Sequence, residues 1–424
     1  MTKLAAVPVL VLSAALLTAP AAAHATTAAV TTYYVDSSAG NDAADGLSSA
    51  TAWRSLAKVN SFPFDPGNRI SFKRGGSWTG TLKLSRSGDE GNPIVVEAYG
   101  SGNLPVVGGP VTNCVEVTGS HWFIGDLRAS NCNWAGFELF GDHIVMDTIQ
   151  ADANVTGVSI VDGSDRNTIR WSTITNNNKM SKLTPKEVNP DDDSGAFGFL
   201  VHGNDNVISR NVISGHYAFS YDYGFDGAAV EIFNGNRNRI EYNTTSDNET
   251  FTELGRNGTG KTADGNVFAY NSVTSTKALA GFLVTRGAGS NIGPVRGTVA
   301  VNNSVYLPNG DGFSCDAGCG ADILKLRSNI IKVGKKVGYE DAFDSGDPAD
   351  SADEDRGVYS GSQYQFTLGP NSVKADPLFT SATDLRPKAG SPAIGRGENA
   401  GFAYDLAGKS LAGVTRWDAG AYQS

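Results

Sequence analysis

The chain has 424 residues, of which 40% are hydrophobic, 18% are charged and 51 are Gly. That apolar content supplies a core and excludes a disordered chain. The balance of 34 Lys and Arg against 44 Asp and Glu leaves a net charge of −10 with no basic run, which excludes a phosphate-tracking nucleic-acid surface.

Residues 1–25 have the pattern of a secretion signal. Met1–Lys3 gives a short positive start, Leu4 to Leu17 is apolar, and Pro20 breaks the run. Ala23-His24-Ala25 supplies the small-x-small pattern that signal peptidase reads. The apolar run is shorter than the roughly 20 residues a spanning helix needs, and no later segment spans either. The expectation is a secreted, extracellular monomer without a membrane span. Length alone fits two or three ordinary domains or one elongated all-β unit.

Ala52 to Asn60 places Trp53, Leu56 and Val59 at helical spacing, with Thr51 as the expected N-cap. A short amphipathic helix there would cover the open end of a stack of strands, where edges would otherwise be exposed. Four cysteines, Cys114, Cys132, Cys315 and Cys319, allow three pairings. The local one, Cys114–Cys132 with Cys315–Cys319, is the simplest. A zinc site competes on the spacing of Cys315 and Cys319, but no His lies near them. Export favours two disulfides.

The middle of the chain repeats. Asn206-Val-Ile-Ser-Arg-Asn211-Val-Ile213, Asn238-Arg-Ile-Glu-Tyr-Asn243-Thr-Thr245 and Asn266-Val-Phe-Ala-Tyr-Asn271-Ser-Val273 share one pattern. Segments 167–174, 298–305 and 324–331 fit it more loosely. The second Asn recurs at 211, 243, 271, 303 and 329, a period that means stacked repeats. Apolar and polar residues alternate with period two, and Gly and Asn break each run, so the unit is built of strands. An Asn at a fixed turn position is expected to take the left-handed conformation and to hydrogen-bond to its neighbours up a ladder. The insert 176–194, with three Lys and the run Asp191-Asp192-Asp193, interrupts the repeat. It is expected to be a loop over one face, walling a groove or merely solvated, and its acids are a possible Ca²⁺ site.

Three stretches resemble right-handed parallel β-helix proteins of the pectin-lyase-like superfamily. They are the segment from Tyr34-Val-Asp36 through Trp53-Arg-Ser-Leu56, the Asn repeat, and the segment from Asp376-Pro-Leu-Phe379 through Trp417-Asp-Ala-Gly-Ala-Tyr422. The resemblance implies an all-β, right-handed parallel β-helix (a solenoid) with a short N-terminal capping helix. The corresponding organisation is one domain over 26–424, with cap and first strands at 26–80, coils at 81–340 and a C-terminal closing segment at 341–424. The superfamily includes polysaccharide lyases, glycoside hydrolases, epimerases and phage tailspikes, so the resemblance implies fold more strongly than reaction.

The chemistry is sought where the repeat becomes irregular. Residues 215–235 crowd His216, Tyr221, Asp222, Tyr223, Asp226 and Glu231 together, and Glu253 follows 22 residues after Glu231. That offset is close to one coil of such a helix, which predicts Glu231 and Glu253 on adjacent rungs. Glycoside hydrolysis needs a protonated acid and an ionised carboxylate at close range. Crowded acids supply both, because like charges push at least one pKa up. Asp222, Asp226, Glu231 and Glu253 are therefore the expected catalytic set, with His216, Tyr221, Tyr223, Arg256 and Lys261 as substrate-binding residues and a polysaccharide as substrate. An alternative is a Ca²⁺-dependent lyase on a uronic-acid polymer. It would use the same acids as metal ligands and Lys261, Arg256 or His216 as base. A third reading is a non-catalytic carbohydrate-binding surface protein. His143, His202 and His216 lack metal-ligand spacing, no nucleophile elbow or P-loop is present, and no cofactor is firmly expected.

Overall fold

Each repeat folds as three short strands, the first two joined by a tight turn, and the third strand leads into the next coil. Val207–Ser209, Val212–Ser214 and Ala228–Phe233 form one such coil. Arg239–Glu241, Thr244–Ser246 and Thr250–Gly255 form the next. Equivalent strands pair in parallel from coil to coil, and the pairing extends into three long sheets of 12, 12 and 11 strands. This arrangement, taken from a computed structural model that describes residues 30–340 and 351–424, is the right-handed parallel β-helix. The expected signal segment lies outside the described residues.

Period-two alternation sends one side chain of each short strand inward. On the first sheet Ile208, Ile240, Phe268, Ala300 and Leu326 stack in register and are fully buried. On the second sheet Ile213, Thr245, Val273, Val305 and Ile331 do the same. The interior is therefore a column of β-branched and aromatic residues.

The Asn ladder forms between the first and second sheets. Asn211 Nδ2 donates to Asn243 Oδ1 at 3.1 Å, Asn243 to Asn271 at 3.1 Å, and Asn271 to Asn303 at 3.0 Å. Each Asn also donates to a buried carbonyl of the preceding coil, such as Asn243 to Ile208 at 2.9 Å. The expected left-handed conformation is not at these Asn. It falls on the residue before each: Arg210, Tyr242, Tyr270, Asn302 and Ser328 have φ between 52° and 58°. The turn is made by that residue, whatever its type, and the Asn satisfies the backbone groups the turn leaves over. A non-Gly residue in this conformation costs about 1–2 kcal/mol, which the ladder bonds offset.

The capping helix is shorter than its apolar spacing predicts, covering Leu56–Ser61 with Ser55 as N-cap. Ser55 Oγ accepts the Lys58 N–H at 3.1 Å. Trp53 is drawn out of the helix because its backbone N–H and carbonyl bond Tyr34 and Asp36, both at 2.8 Å. Thr51 instead closes a turn with Ser48. Trp53, Leu56 and Val59 are nevertheless all buried. The local cysteine pairing forms as two disulfides, Cys114–Cys132 and Cys315–Cys319. C-terminal residues Phe402, Leu406, Leu411 and Trp417 pack along the side of the coils against Tyr242, Tyr270 and Val301. No described helix is long and apolar enough to cross a membrane.

Candidate active site

The third sheet carries the acids. Val230 and Ile232 point inward and are fully buried, so Glu231 points outward between them. The register places Leu200, Glu231, Glu253 and Val284 side by side on consecutive coils. Glu231 and Glu253 are therefore direct neighbours, with backbones one strand spacing, about 4.8 Å, apart.

Arg286 ends the next strand, Gly281–Arg286. It is only 8% exposed. Its Nη2 lies 2.5 Å from Glu253 Oε1 and its Nε 3.6 Å from Asp316 Oδ2. Its Nη1 is buried without a hydrogen-bond partner among the described residues. Gly255 clears the way for Phe233, because a Cβ there would come within 2.6 Å of the Phe233 ring.

Two excursions from the coil close over this row. The first is a hairpin of Ala218–Ser220 and Gly224–Asp226. Gly227, at φ 144°, returns the chain to the sheet where a Cβ would meet the His216 carbonyl at 2.5 Å. Phe225 stacks on Tyr217 at 4.3 Å, stiffening the hairpin. The second is the insert, closed by an antiparallel pair of Met180–Lys182 and Ser194–Gly195. Asp193, 6% exposed, ties the two together. It accepts bonds from Thr184 N, Ser220 Oγ and Tyr221 N at 2.6, 2.9 and 2.6 Å. Burial alone would raise the Asp193 pKa, but these bonds hold it below the ordinary carboxylate value.

The result is a cleft of about 580 Å³. Among the described residues its acids are Asp191, Asp193, Asp226, Glu231, Glu249 and Glu253, and Arg286 is its one lining cation. Phe197, Tyr223, Phe225 and Phe233 supply aromatic walls. Burial, then the charges of Glu253 and Asp193, pushes Asp226 up to about 7. Burial, then Asp226 and Glu253, pushes Glu249 up to about 8. Glu231 is raised well above the ordinary value, first by burial and then by Glu253 and Asp226, with Arg286 opposing. The cleft thus holds protonated carboxyls beside an arginine-paired carboxylate.

Of the residues expected from sequence, Asp226, Glu231, Glu253 and Tyr223 meet in this cleft. Asp222 does not line it. Its Oδ2 accepts the backbone N–H groups of Asp192 and Asp193 at 2.9 and 3.0 Å, so it fastens the hairpin to the insert. Tyr221 is exposed at the hairpin, edge-on to Phe219. His216 is 0% exposed and takes an Asn position in a second ladder. Its N–H donates to Asn248 Oδ1 at 3.1 Å, and its Nε2 lies 3.1 Å from the Ile174 carbonyl. Burial lowers its pKa to about 4, so it is a neutral structural group out of reach of substrate. Lys261 is paired with Asp162 at 2.5 Å, and neither it nor Arg256 lines the cleft. Glu249 and Arg286 were not anticipated. The 22-residue offset from Glu231 to Glu253 does not lead to Arg286, which lies 33 residues after Glu253 and two beyond its register partner Val284.

Asp192, Asp193 and Asp222 each offer a carboxylate oxygen within 4.8 Å of the others. Asp192 Oδ1 and Asp222 Oδ1 are buried without partners. Hard oxygen donors with unmet valence fit Ca²⁺, for which these three would supply part of a six-to-eight-oxygen shell.

No protein-family model matches the chain, and no curated protein matches it. Solved structures match its fold. A GH136 lacto-N-biosidase from Eubacterium ramulus aligns with TM-score 0.57 at 15% identity, over 80% of this chain and 65% of that one. The chain therefore spans just under two-thirds of that protein's length. Pectate lyase Pel9A aligns with TM-score 0.57 at 16% identity, over 93% of this chain and 97% of that one. XylC in complex with xylose aligns with TM-score 0.52 at 10% identity, over 82% and 87%. At these identities the likeness is one of fold, the parallel β-helix.

Proposed function

We propose that the protein is a secreted enzyme that cleaves a polysaccharide, acting as a glycoside hydrolase through Glu231 and Glu253. What supports this is the contrast between two neighbouring carboxyls. Glu231 is held protonated by burial and negative neighbours, while Glu253 is paired with Arg286. Glu231 gives its proton to the glycosidic oxygen as the C–O bond breaks. The Glu253 carboxylate attacks the anomeric carbon and forms a glycosyl ester. Water, deprotonated by Glu231, then displaces Glu253 and restores both groups. Adjacent rungs favour the short carboxyl separation of about 5–5.5 Å that retaining enzymes use over the about 6.5–9.5 Å of inverting ones. Asp226 and Glu249, raised to about 7 and about 8, keep the cleft protonated and add hydrogen-bond donors for sugar hydroxyls. Tyr223, Phe225 and Phe233 offer surfaces for sugar rings. The fold neighbours include a lacto-N-biosidase and a pectate lyase, consistent with carbohydrate chemistry on this scaffold. The test is Glu231→Gln, which removes the proton donor and is expected to lower kcat by about 10²–10⁴ with substrate binding retained. Unchanged turnover would refute the assignment.

A second reading is a lyase. It is favoured by the unpartnered Nη1 of Arg286 and by the Asp192, Asp193 and Asp222 cluster, which could answer a uronate carboxylate directly or through Ca²⁺. The C5 base would then come from the cleft carboxyls, since Lys261 and His216 lie elsewhere. Ca²⁺ would supply charge neutralisation of the uronate. A chelator separates the readings, because the hydrolase tolerates it.

A further inference from the structure

We propose that a groove beside Trp171 and Arg210, away from the cleft, is a second and non-catalytic glycan site that takes a strand bearing uronic acid. The two residues sit at the turn between the first and second sheets, whereas the cleft acids sit on the third. Both adopt the left-handed turn conformation, with φ 53° and 57°. That conformation throws consecutive side chains outward, one above the other at coil spacing. The Arg210 guanidinium is sandwiched, 5.1 Å from the Trp171 ring and 4.6 Å from the Tyr242 ring.

The stack continues through Tyr270 to Phe402, where the C-terminal segment covers it. The cover stops at Leu406. Beyond it Trp171 is 56% exposed and Val212 48% exposed, and a groove of about 310 Å³ runs between Trp171 and Leu406. Thr173 and Thr244 are among its lining residues. A large, rigid aromatic left open beside hydroxyls is the surface against which a pyranose ring packs.

Charge decides which glycan. Nearby Arg170 is paired with Asp147 and Arg239 with Glu241. Arg210 has no ion pair and no side-chain hydrogen bond among the described residues. Stacking occupies its two faces and leaves the edge N–H donors, at the groove it lines, without a partner among the described residues. A planar donor edge matches a carboxylate in the bidentate mode. The groove therefore offers an aromatic platform for the ring and a fork for the uronate. The polysaccharide class rests on the function proposed for the cleft, but binding here needs none of its catalytic groups.

The experiment is affinity electrophoresis of the full chain carrying Glu231→Gln, so that substrate is not consumed. Gels contain polygalacturonate, alginate or glucuronoxylan, with neutral xyloglucan as the comparison. Retardation is expected in at least one acidic gel and not in the neutral one. Adding Trp171→Ala or Arg210→Gln should weaken it at least fivefold with no change in melting temperature. In the chain without Glu231→Gln, Trp171→Ala should leave kcat on short oligosaccharides unchanged. Equal migration with and without Trp171→Ala in all three acidic gels would overturn the proposal. So would equal retardation in the neutral gel, or a loss of retardation accompanied by unfolding in both variants. A protein that is retarded through Trp171 but cleaves nothing would sink the hydrolase and leave this site standing.

Discussion

Replacing Arg286 by Met tests the electrostatic division of labour in the cleft. Arg286 is the only cation lining it among the described residues, and its Nη2 is 2.5 Å from Glu253 Oε1. Opposite unit charges about 4 Å apart attract by about 4 kcal/mol at an effective dielectric near 20. At about 1.4 kcal/mol per tenfold in rate, and with solvent screening part of it, losing that attraction should lower kcat/KM by about 10²-fold. The variant also leaves Glu253 facing Glu231, Asp226 and Glu249 without a counter-charge. Removing one partner of a buried pair costs about 3–5 kcal/mol. Glu253 keeps 33% of its side chain exposed, so a loss of about 2–3 kcal/mol at neutral pH is expected. The assay is kcat/KM at neutral pH with urea unfolding on the same samples. Asp316→Asn is the control, because Asp316 touches Arg286 only at 3.6 Å and should move neither quantity much. An unchanged kcat/KM in the Arg286→Met enzyme would refute the Arg286–Glu253 pairing as part of the cleft's chemistry.

Asn243→Ala should cost about 4 kcal/mol in urea unfolding, because the Asn211 N–H and the Ile208 carbonyl lose their partners at a buried turn; a cost under about 1 kcal/mol would mean the ladder is not stabilising. Asp226→Asn should reverse a pH dependence. In the fold Asp226 stays protonated to about 7, against 3.8 for a free carboxyl, so the unfolded chain ionises first. Stability from this group is intact below about pH 4, falls as pH rises, and is lost above about 7, a difference of about 4 kcal/mol. The variant should match the parent at pH 4 and exceed it at pH 8, and equal stability at both would contradict the burial argument. Millimolar Ca²⁺ should raise the melting temperature, by about 2.7 kcal/mol of stabilisation at a hundredfold excess over Kd, and Asp222→Asn should abolish the rise; a calcium shift unaffected by Asp222→Asn would place the ion elsewhere.

The coil was legible because its turns repeat a residue type. Asn211, Asn243, Asn271 and Asn303 bond one another in the order of their spacing, so the period in the sequence is the period of the sheets. A separate count, the 22-residue offset from Glu231 to Glu253, is also the observed register, although the Asn ladder between the same two coils steps by 32. Turn conformation was not legible, since the left-handed residue precedes the Asn and has no preferred type. His216 was misread for a related reason. It lies 39 residues after Asn177 and 32 before Asn248, the offsets that link Ser172, Asn211 and Asn243 in the neighbouring ladder. A second ladder was therefore written in the sequence, with an imidazole standing where an amide usually does. Asp222 was misplaced because its role depends on how the insert folds back, and no local pattern encodes that contact.

The central claim is that Glu231 and Glu253 hydrolyse a glycosidic bond. Its most direct test follows new reducing ends and the ultraviolet absorbance of unsaturated uronate together, across neutral and acidic polysaccharides, with and without EDTA. The account predicts reducing ends without that absorbance, insensitive to EDTA, and reduced at least about a hundredfold by either Glu231→Gln or Glu253→Gln. Absorbance rising with the reducing ends and vanishing with EDTA, or full activity in both variants, would contradict it.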